Sequence, residues 1–210
     1  MKKLLNSIFI VFFSLFIITG IIQFSVIFKQ LYYFDIDYLN IEAVSGLNKN
    51  EIKLNYDYLI DYNLRIDNEE FNMPTITSSK EGKIHFEEVR DIFQTIKKIY
   101  FISILISLVG LYINIKNKEY DFLKSTSNLL ICIPIILLLP IIINFDGSFV
   151  MFHKLMFSND YWIFDPTLDP VINILPETFF FHMALLMLIL LISIIILLKT
   201  SYIYLKKRGH

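Results

Sequence analysis

The sequence predicts an all-α membrane protein: four transmembrane helices, with a small, mostly helical extracytoplasmic subdomain between the first and second spans. Three observations predict it. Of the 210 residues, 55% are hydrophobic and only 19% are charged, whereas a soluble domain carries about a quarter charged residues. Four segments, 4–28, 99–115, 125–145 and 178–198, contain no Asp, Glu, Lys or Arg, and about 20 apolar residues suffice to cross the hydrocarbon core. Lysines and arginines cluster in alternate gaps between those segments, as expected for loops on the cytoplasmic side.

The first segment follows Met1-Lys2-Lys3. It is far longer than the ~7–15 apolar residues of a secretory signal and lacks a small-residue cleavage site, so residues 1–28 read as a retained anchor. The second, 99–115, is short, but Lys97, Lys98 and Lys116 can extend to the headgroups. Lys116, Lys118 and Lys124 occupy loop 116–124, and Lys206, Lys207 and Arg208 lie in the tail 199–210. With Lys2 and Lys3 they place both termini in the cytoplasm of a multi-pass cell-membrane protein. Loop 146–177 has Lys154 against Asp146, Asp160, Asp165, Asp169 and Glu177, so it belongs outside. The net charge of −1 gives no reason to expect nucleic acid. Twenty Phe and twelve Tyr suit contact with membrane phospholipids. The single cysteine, Cys132, forbids an internal disulfide and reads as a small hydrophobe.

Segment 29–98 reads as a folded subdomain. Asn48 and Glu51 have capping-box spacing, and Ile52, Tyr56, Leu59 and Ile60 form a helical stripe, predicting an amphipathic helix near the membrane surface. Residues 68–82 are polar and contain Pro74, a loop signal. A further helix is expected from near Ile84, with Val89, Ile92, Phe93 and Ile96 as its stripe, running on into the second span. His85 lies on that stripe one turn before Val89, and Glu88 stands at i+3, where it can orient the imidazole. In 146–177, the pairs Asp165-Pro166 and Asp169-Pro170 predict an extended or turned chain. Leu175-Pro176-Glu177 then opens the fourth helix.

This loop holds His153 and the only tryptophan, Trp162. Taken alone, a histidine on an apolar face such as His85 is more often a structural residue than a catalyst, and Trp162 suits an interfacial anchor. Their joint placement favours chemistry, because His85 and His153 both fall at the outer membrane boundary. Asp160 or Asp165 can orient an imidazole, and spacing does not choose between them. Trp162 and neighbouring Phe side chains can line an acyl groove. His182, one turn into the fourth span, reads as functional or as a helix-to-helix hydrogen bond.

The blocks "LNYDYLIDYN", "KIHFEEVRDIF", "FHKLMFSNDYWIFDP" and "NILPETFFFH", in this order and with four spans, resemble the lipoprotein intramolecular transacylase family, small integral membrane proteins of Gram-positive bacteria. The resemblance covers nearly the whole chain, and its third block is the most specific. It implies an enzyme acting on a diacylglyceryl-modified lipoprotein, moving the sn-2 acyl chain to the α-amino group of the same cysteine and leaving a lyso-form lipoprotein. It implies two catalytic histidines outside the membrane, which map to His85 and His153; no cofactor is expected. Glu88, Asp160, Trp162, Asp165 and, in the first block, Tyr58 are the candidate substrate-binding or supporting residues.

The chemistry suits that implication. A histidine titrates near ~6.5 and an α-amine near ~8, so proton exchange between them is cheap at neutral pH. Two other classes compete. A metal-dependent membrane hydrolase would use His85, Glu88 and His153, but no tight ligand spacing such as HExxH is present. A non-catalytic lipid- or lipoprotein-binding protein would use the histidines structurally. A transporter fits less well, since the third segment has no charged residue and no inverted repeat is visible.

Overall fold

The structure, a computed structural model, describes residues 2–66, 69–133, 136 and 139–207. Ten α-helices and no strand occur among them: α1 (Lys2–Ile27), α2 (Gln30–Tyr38), α3 (Ile41–Ser45), α4 (Lys49–Leu64), α5 (Lys80–Lys116), α6 (Asp121–Ile133), α7 (Leu139–Ile143), α8 (Phe145–Met156), α9 (Val171–Ile174) and α10 (Glu177–Lys207). Three are long and apolar enough to cross a bilayer: Lys3–Ile27, Lys80–Lys116 and Glu177–Lys207. The third expected span, 125–145, is distributed over α6, α7 and the start of α8, and its residues 134, 135, 137 and 138 lie outside the described residues. So do Asn68, the first residue of the expected loop 68–82, and Arg208 of the basic tail.

The chain divides into two compact units. The first comprises Met1–Phe24, Ile96–Ile142 and Leu185–His210. Phe9, Phe13, Ile17 and Ile21 of α1 recur every four residues and so share one face, packing with Phe122, Leu123 and Leu130 of α6 and Leu191, Ile195 and Leu198 of α10. Gly110 lets α5 close against this face, since a methyl there would come 2.1 Å from the Phe9 ring. Leu105, Leu108, Val109, Ile189, Ile192 and Ile196 remain exposed. An apolar exterior of that kind belongs in lipid. Ser14 and Thr19 donate back to the carbonyls of Ile10 and Leu15 at 2.8 and 2.7 Å, which satisfies hydroxyls that have no water to turn to.

The second unit, Ser25–Thr95 with Ile143–Ala184, carries the polar chemistry. Its α4 starts as the sequence predicts: the Asn48 side chain accepts from the amides of Asn50 and Glu51, and Glu51 bonds back to the Asn48 amide. Ile52, Tyr56, Leu59 and Ile60 are buried. Tyr32 of α2 stacks on Tyr56 with ring centroids 3.6 Å apart and donates its hydroxyl to the carbonyl of Ile174 at 2.6 Å. Burying each such ring removes a large apolar area at about 25 cal/mol per Å2, and for Tyr32 the phenolic oxygen is satisfied at the same time.

Two sequence expectations change here. The helix carrying His85 starts at Lys80 rather than near Ile84. Ser79 supplies the early start, its Oγ accepting from the Gly82 amide at 2.9 Å. Residues 146–156, expected to be extended or turned, belong to α8, which begins at Phe145. The side chain of Asn144 accepts from the Gly147 amide, Asp146 occupies the first turn, and His153 and Lys154 occupy the last. The prolines that argued against helix, Pro166 and Pro170, lie beyond its end.

Asp169, 4% exposed, locks the loop after α8 to the start of α5. Its carboxylate accepts from the Ser79 amide at 2.7 Å and the Ser79 hydroxyl at 2.6 Å. A methyl on Gly82 would stand 2.2 Å from Asp169 Oδ1. Gly82→Ala is therefore expected to cost about 2–3 kcal/mol, through overpacking and loss of a charge-assisted bond, read as a lower unfolding temperature in detergent.

Candidate active site

His85 sits on the buried face of α5, 5% exposed, fourteen residues before the apolar stretch 99–115. Rings surround it. Phe157 meets it edge-on at 4.7 Å, Phe164 at 5.4 Å and Phe86 at 5.5 Å. The His153 imidazole lies 6.2 Å away, centroid to centroid. Two histidines 68 residues apart in sequence thus share one aromatic enclosure. Burial, and secondarily the neighbouring His153, push the His85 pKa down to about 4. At neutral pH this imidazole is uncharged, and its Nδ1 is buried without a hydrogen-bond partner.

His153 is half-buried on α8. Its Nδ1 stands 2.7 Å from the carbonyl of Phe149, one turn earlier. A carbonyl oxygen can only accept, so Nδ1 carries the hydrogen, and in the neutral ring Nε2 keeps its lone pair. Burial lowers the pKa below the usual histidine value, partly opposed by the bond to Phe149. Trp162 stacks on the imidazole at 4.8 Å and 27°, with Phe149 at 4.2 Å and Phe157 at 5.7 Å completing the surround. The indole Nε1 is buried and makes no hydrogen bond.

The other predicted residues separate clearly. Glu88 does not bond to His85; its Oε1 accepts from Asn159 Nδ2 at 2.8 Å. Asp165, exposed, accepts from the amide and hydroxyl of Thr167 at 2.8 and 2.7 Å, bonds that hold its carboxyl below the ordinary range. Asp160 is exposed, and the Asp160 carbonyl accepts from the Ile163 amide. Neither carboxylate braces an imidazole; the Phe149 carbonyl does so for His153. Tyr58 belongs to the core: its hydroxyl accepts from the Asn72 amide at 2.7 Å, and its ring packs on Tyr62 and Phe71. His182 forms a helix-to-helix bond, Nδ1 donating to both oxygens of the fully buried Asp35 at 2.9 Å. Cys132 is exposed rather than buried, with its Sγ 3.8 Å from the Asn128 carbonyl. Among the described residues, no three His, Cys, Asp or Glu side chains gather as a metal site would require.

Sequence reasoning missed Phe149 and Asn159, and it grouped Phe157 and Phe164 only among the Phe side chains near Trp162 without placing them against the histidines. The i, i+4 spacing of Phe149 and His153 was available as a signal once residues 145–156 were recognised as helix.

A chain that is all-helical among its described residues, with an apolar exterior and two imidazoles in one aromatic enclosure, fits the class of integral membrane proteins. The family model described as lipoprotein intramolecular transacylase Lit matches residues 7–180, and the chain belongs to that family. Among solved structures, the membrane-integral lipoprotein intramolecular transacylase Lit from Bacillus cereus superposes with a TM-score of 0.95 at 41% identity, covering 100% of this chain and 97% of that one. The same Bacillus cereus protein with an H85A mutation gives 0.88 at 41% identity, over 100% and 95%. With an H85R mutation it gives 0.83 at 40%, over 99% and 95%. Comparison with curated proteins gave no match.

Proposed function

We propose that the chain is a lipoprotein O-to-N transacylase in which His153 carries the proton and His85 serves as a neutral hydrogen-bonding group. The single observation that carries the reading is the pairing of the two imidazoles in one aromatic enclosure, one of them with a free Nε2 lone pair. The substrate is a diacylglyceryl-cysteine at a lipoprotein N-terminus. His153 Nε2 takes a proton from the α-ammonium and passes it to water. The neutral amine attacks the sn-2 ester carbonyl, and a tetrahedral oxyanion forms. As the nitrogen loses its second proton to His153, the ester C–O bond breaks and the imidazolium protonates the sn-2 oxygen. Amide and hydroxyl are formed, and one proton is released per turnover.

His85 suits the oxyanion. A ring kept neutral by burial donates one N–H without the cost of desolvating a cation, as an oxyanion donor should. Both reacting groups belong to one molecule, so orientation is the protein's main contribution, on the order of 7–11 kcal/mol in favourable intramolecular systems. Trp162 and the surrounding Phe rings give that geometry rigid apolar walls suited to acyl chains.

In this reading the chain crosses the membrane four times, with residues 125–145 as the third crossing. Both termini are cytoplasmic, residues 29–98 and 146–177 form the extracytoplasmic part, and phospholipids cover the exposed apolar helices. The charge of the loops supports that orientation. The test is expression in a bacterium lacking lipoprotein N-acylation, followed by mass spectrometry of a lipoprotein's N-terminal peptide. The expected product is N-acylated and S-monoacylglycerylated; an unaltered diacylglyceryl peptide would favour a lipid-binding role.

A further inference from the structure

We propose that Glu88 is the receptor for the α-ammonium group of the lipidated cysteine. This rests on the transacylase reading, since it names how that site recognises the substrate's reacting end. A cavity of about 500 Å3 is lined by Glu88, Asp91 and Ile92 of α5 and, from the other wall, by Lys154, Leu155 and Phe157. Phe157 also touches both His85 and His153, so the cavity adjoins the imidazole pair. Glu88 stands one turn beyond His85 on the same helix, with ~5–6 Å between Cβ atoms at this spacing.

The two oxygens of Glu88 differ. Asn159 accepts the Tyr161 amide through its Oδ1 at 3.1 Å, which turns its Nδ2 toward Glu88 Oε1 at 2.8 Å. That donor holds the carboxylate in place as an acceptor. Oε2 is buried and has no hydrogen-bond partner. An ionised carboxylate offers about four acceptor positions, and a buried acceptor left without a donor is costly. Lys154 lines the same cavity but is exposed and forms no ion pair with Glu88.

Oε2 therefore awaits a donor supplied from outside the chain, and the reaction brings one. The α-ammonium carries three protons on a single positive nitrogen. One faces His153 Nε2 for transfer, and the others can reach Glu88. Asp91, also in the wall, adds negative potential. The amide product has lost this charge, so the contact that draws in the substrate releases the product. A lipoprotein already N-acylated would be refused for the same reason.

The test uses the full-length protein in detergent at pH 7 and two diether lipopeptides. Each carries S-(2,3-dialkyloxypropyl)cysteine, which has no ester to transfer; one has a free α-amine and its twin lacks the amine. Wild type should bind the amine form about 10–100-fold more tightly, the range of one charge-assisted bond. Above the amine's pKa of about 8 the preference should fade. Glu88→Gln preserves shape and the Asn159 contact, and should bring the ratio close to one while leaving the des-amino affinity unchanged. The ratio is internal to each variant, so partial misfolding does not mimic the effect. An absent preference in wild type, or an undiminished one in Glu88→Gln, overturns the proposal. Turnover of the matching diester peptide is followed in parallel. Turnover without an amine preference sinks the receptor and spares the transacylase, whereas a Glu88-dependent preference without N-acylation does the reverse.

Discussion

His153→Ala is expected to lower the rate of N-acylation by about 10^2–10^4-fold, the range for a positioned acid–base group, while the protein remains folded in detergent. The prediction follows from the state of the ring. The Phe149 carbonyl, 2.7 Å away, fixes the hydrogen on Nδ1 and leaves Nε2 as the lone pair that can serve the amine. Trp162, stacked at 4.8 Å, holds the ring plane. Alanine removes the base but leaves α8, its Asn144 cap and the aromatic walls. Turnover of a diacylglyceryl lipopeptide, measured beside the unfolding temperature, separates the two effects. A loss of rate matched by a collapse of unfolding temperature would mean that His153 is structural, and unchanged turnover would remove it from the mechanism.

His85→Phe should abolish most activity and yet flatten the dependence of stability on acid. His85 is enclosed by Phe86, Phe157 and Phe164, so a phenyl ring of similar volume fits with little strain. The sign of the pH effect follows from the pKa of about 4 in the folded protein against about 6.5 when unfolded. A histidine whose pKa is depressed by folding leaves stability intact above pH ~6.5. As the pH falls from ~6.5 toward ~4, the unfolded chain takes up a proton that the folded chain refuses, and stability drops by up to about 3 kcal/mol. Phenylalanine removes this contribution. Unfolding temperatures at pH 7.5 and 4.5 should therefore differ less in His85→Phe than in wild type. Equal differences would show that His85 is not buried in its neutral form. His153, whose pKa is also lowered, leaves a residual slope in both proteins.

What the sequence could and could not reveal follows from the range of each interaction. The α4 cap was legible because Asn48 and Glu51 act within one turn. Hydropathy marked the apolar stretches, but His85 stands fourteen residues before 99–115, and its pairing with His153 lay beyond what hydropathy reads. Helix α8 was hidden because the prolines at 166 and 170 dominated the reading of 146–177, although Asn144, Asp146 and Lys154 carried the opposite signal locally. Long-range pairs leave no local trace. Nothing near Asp169 announces Ser79, 90 residues away, and nothing near Asp35 announces His182, 147 residues away. Glu88 was placed by helical spacing against His85, but Asn159 competes for its carboxylate from 71 residues along the chain and wins with a 2.8 Å bond. The stacking of Trp162 on His153 is a tertiary fact of the same sort; from sequence, the indole could only be assigned to an interface or an acyl groove.

The central claim, an acyl shift within one substrate molecule, is tested most directly by isotope crossover. Two diacylglyceryl lipopeptides of different peptide mass, one with a deuterated sn-2 chain, are mixed with the purified protein and the products weighed. The account predicts that deuterium appears on the α-nitrogen of the peptide that brought it, and on no other. Labelled chain on the second peptide, or released as free fatty acid, would contradict it.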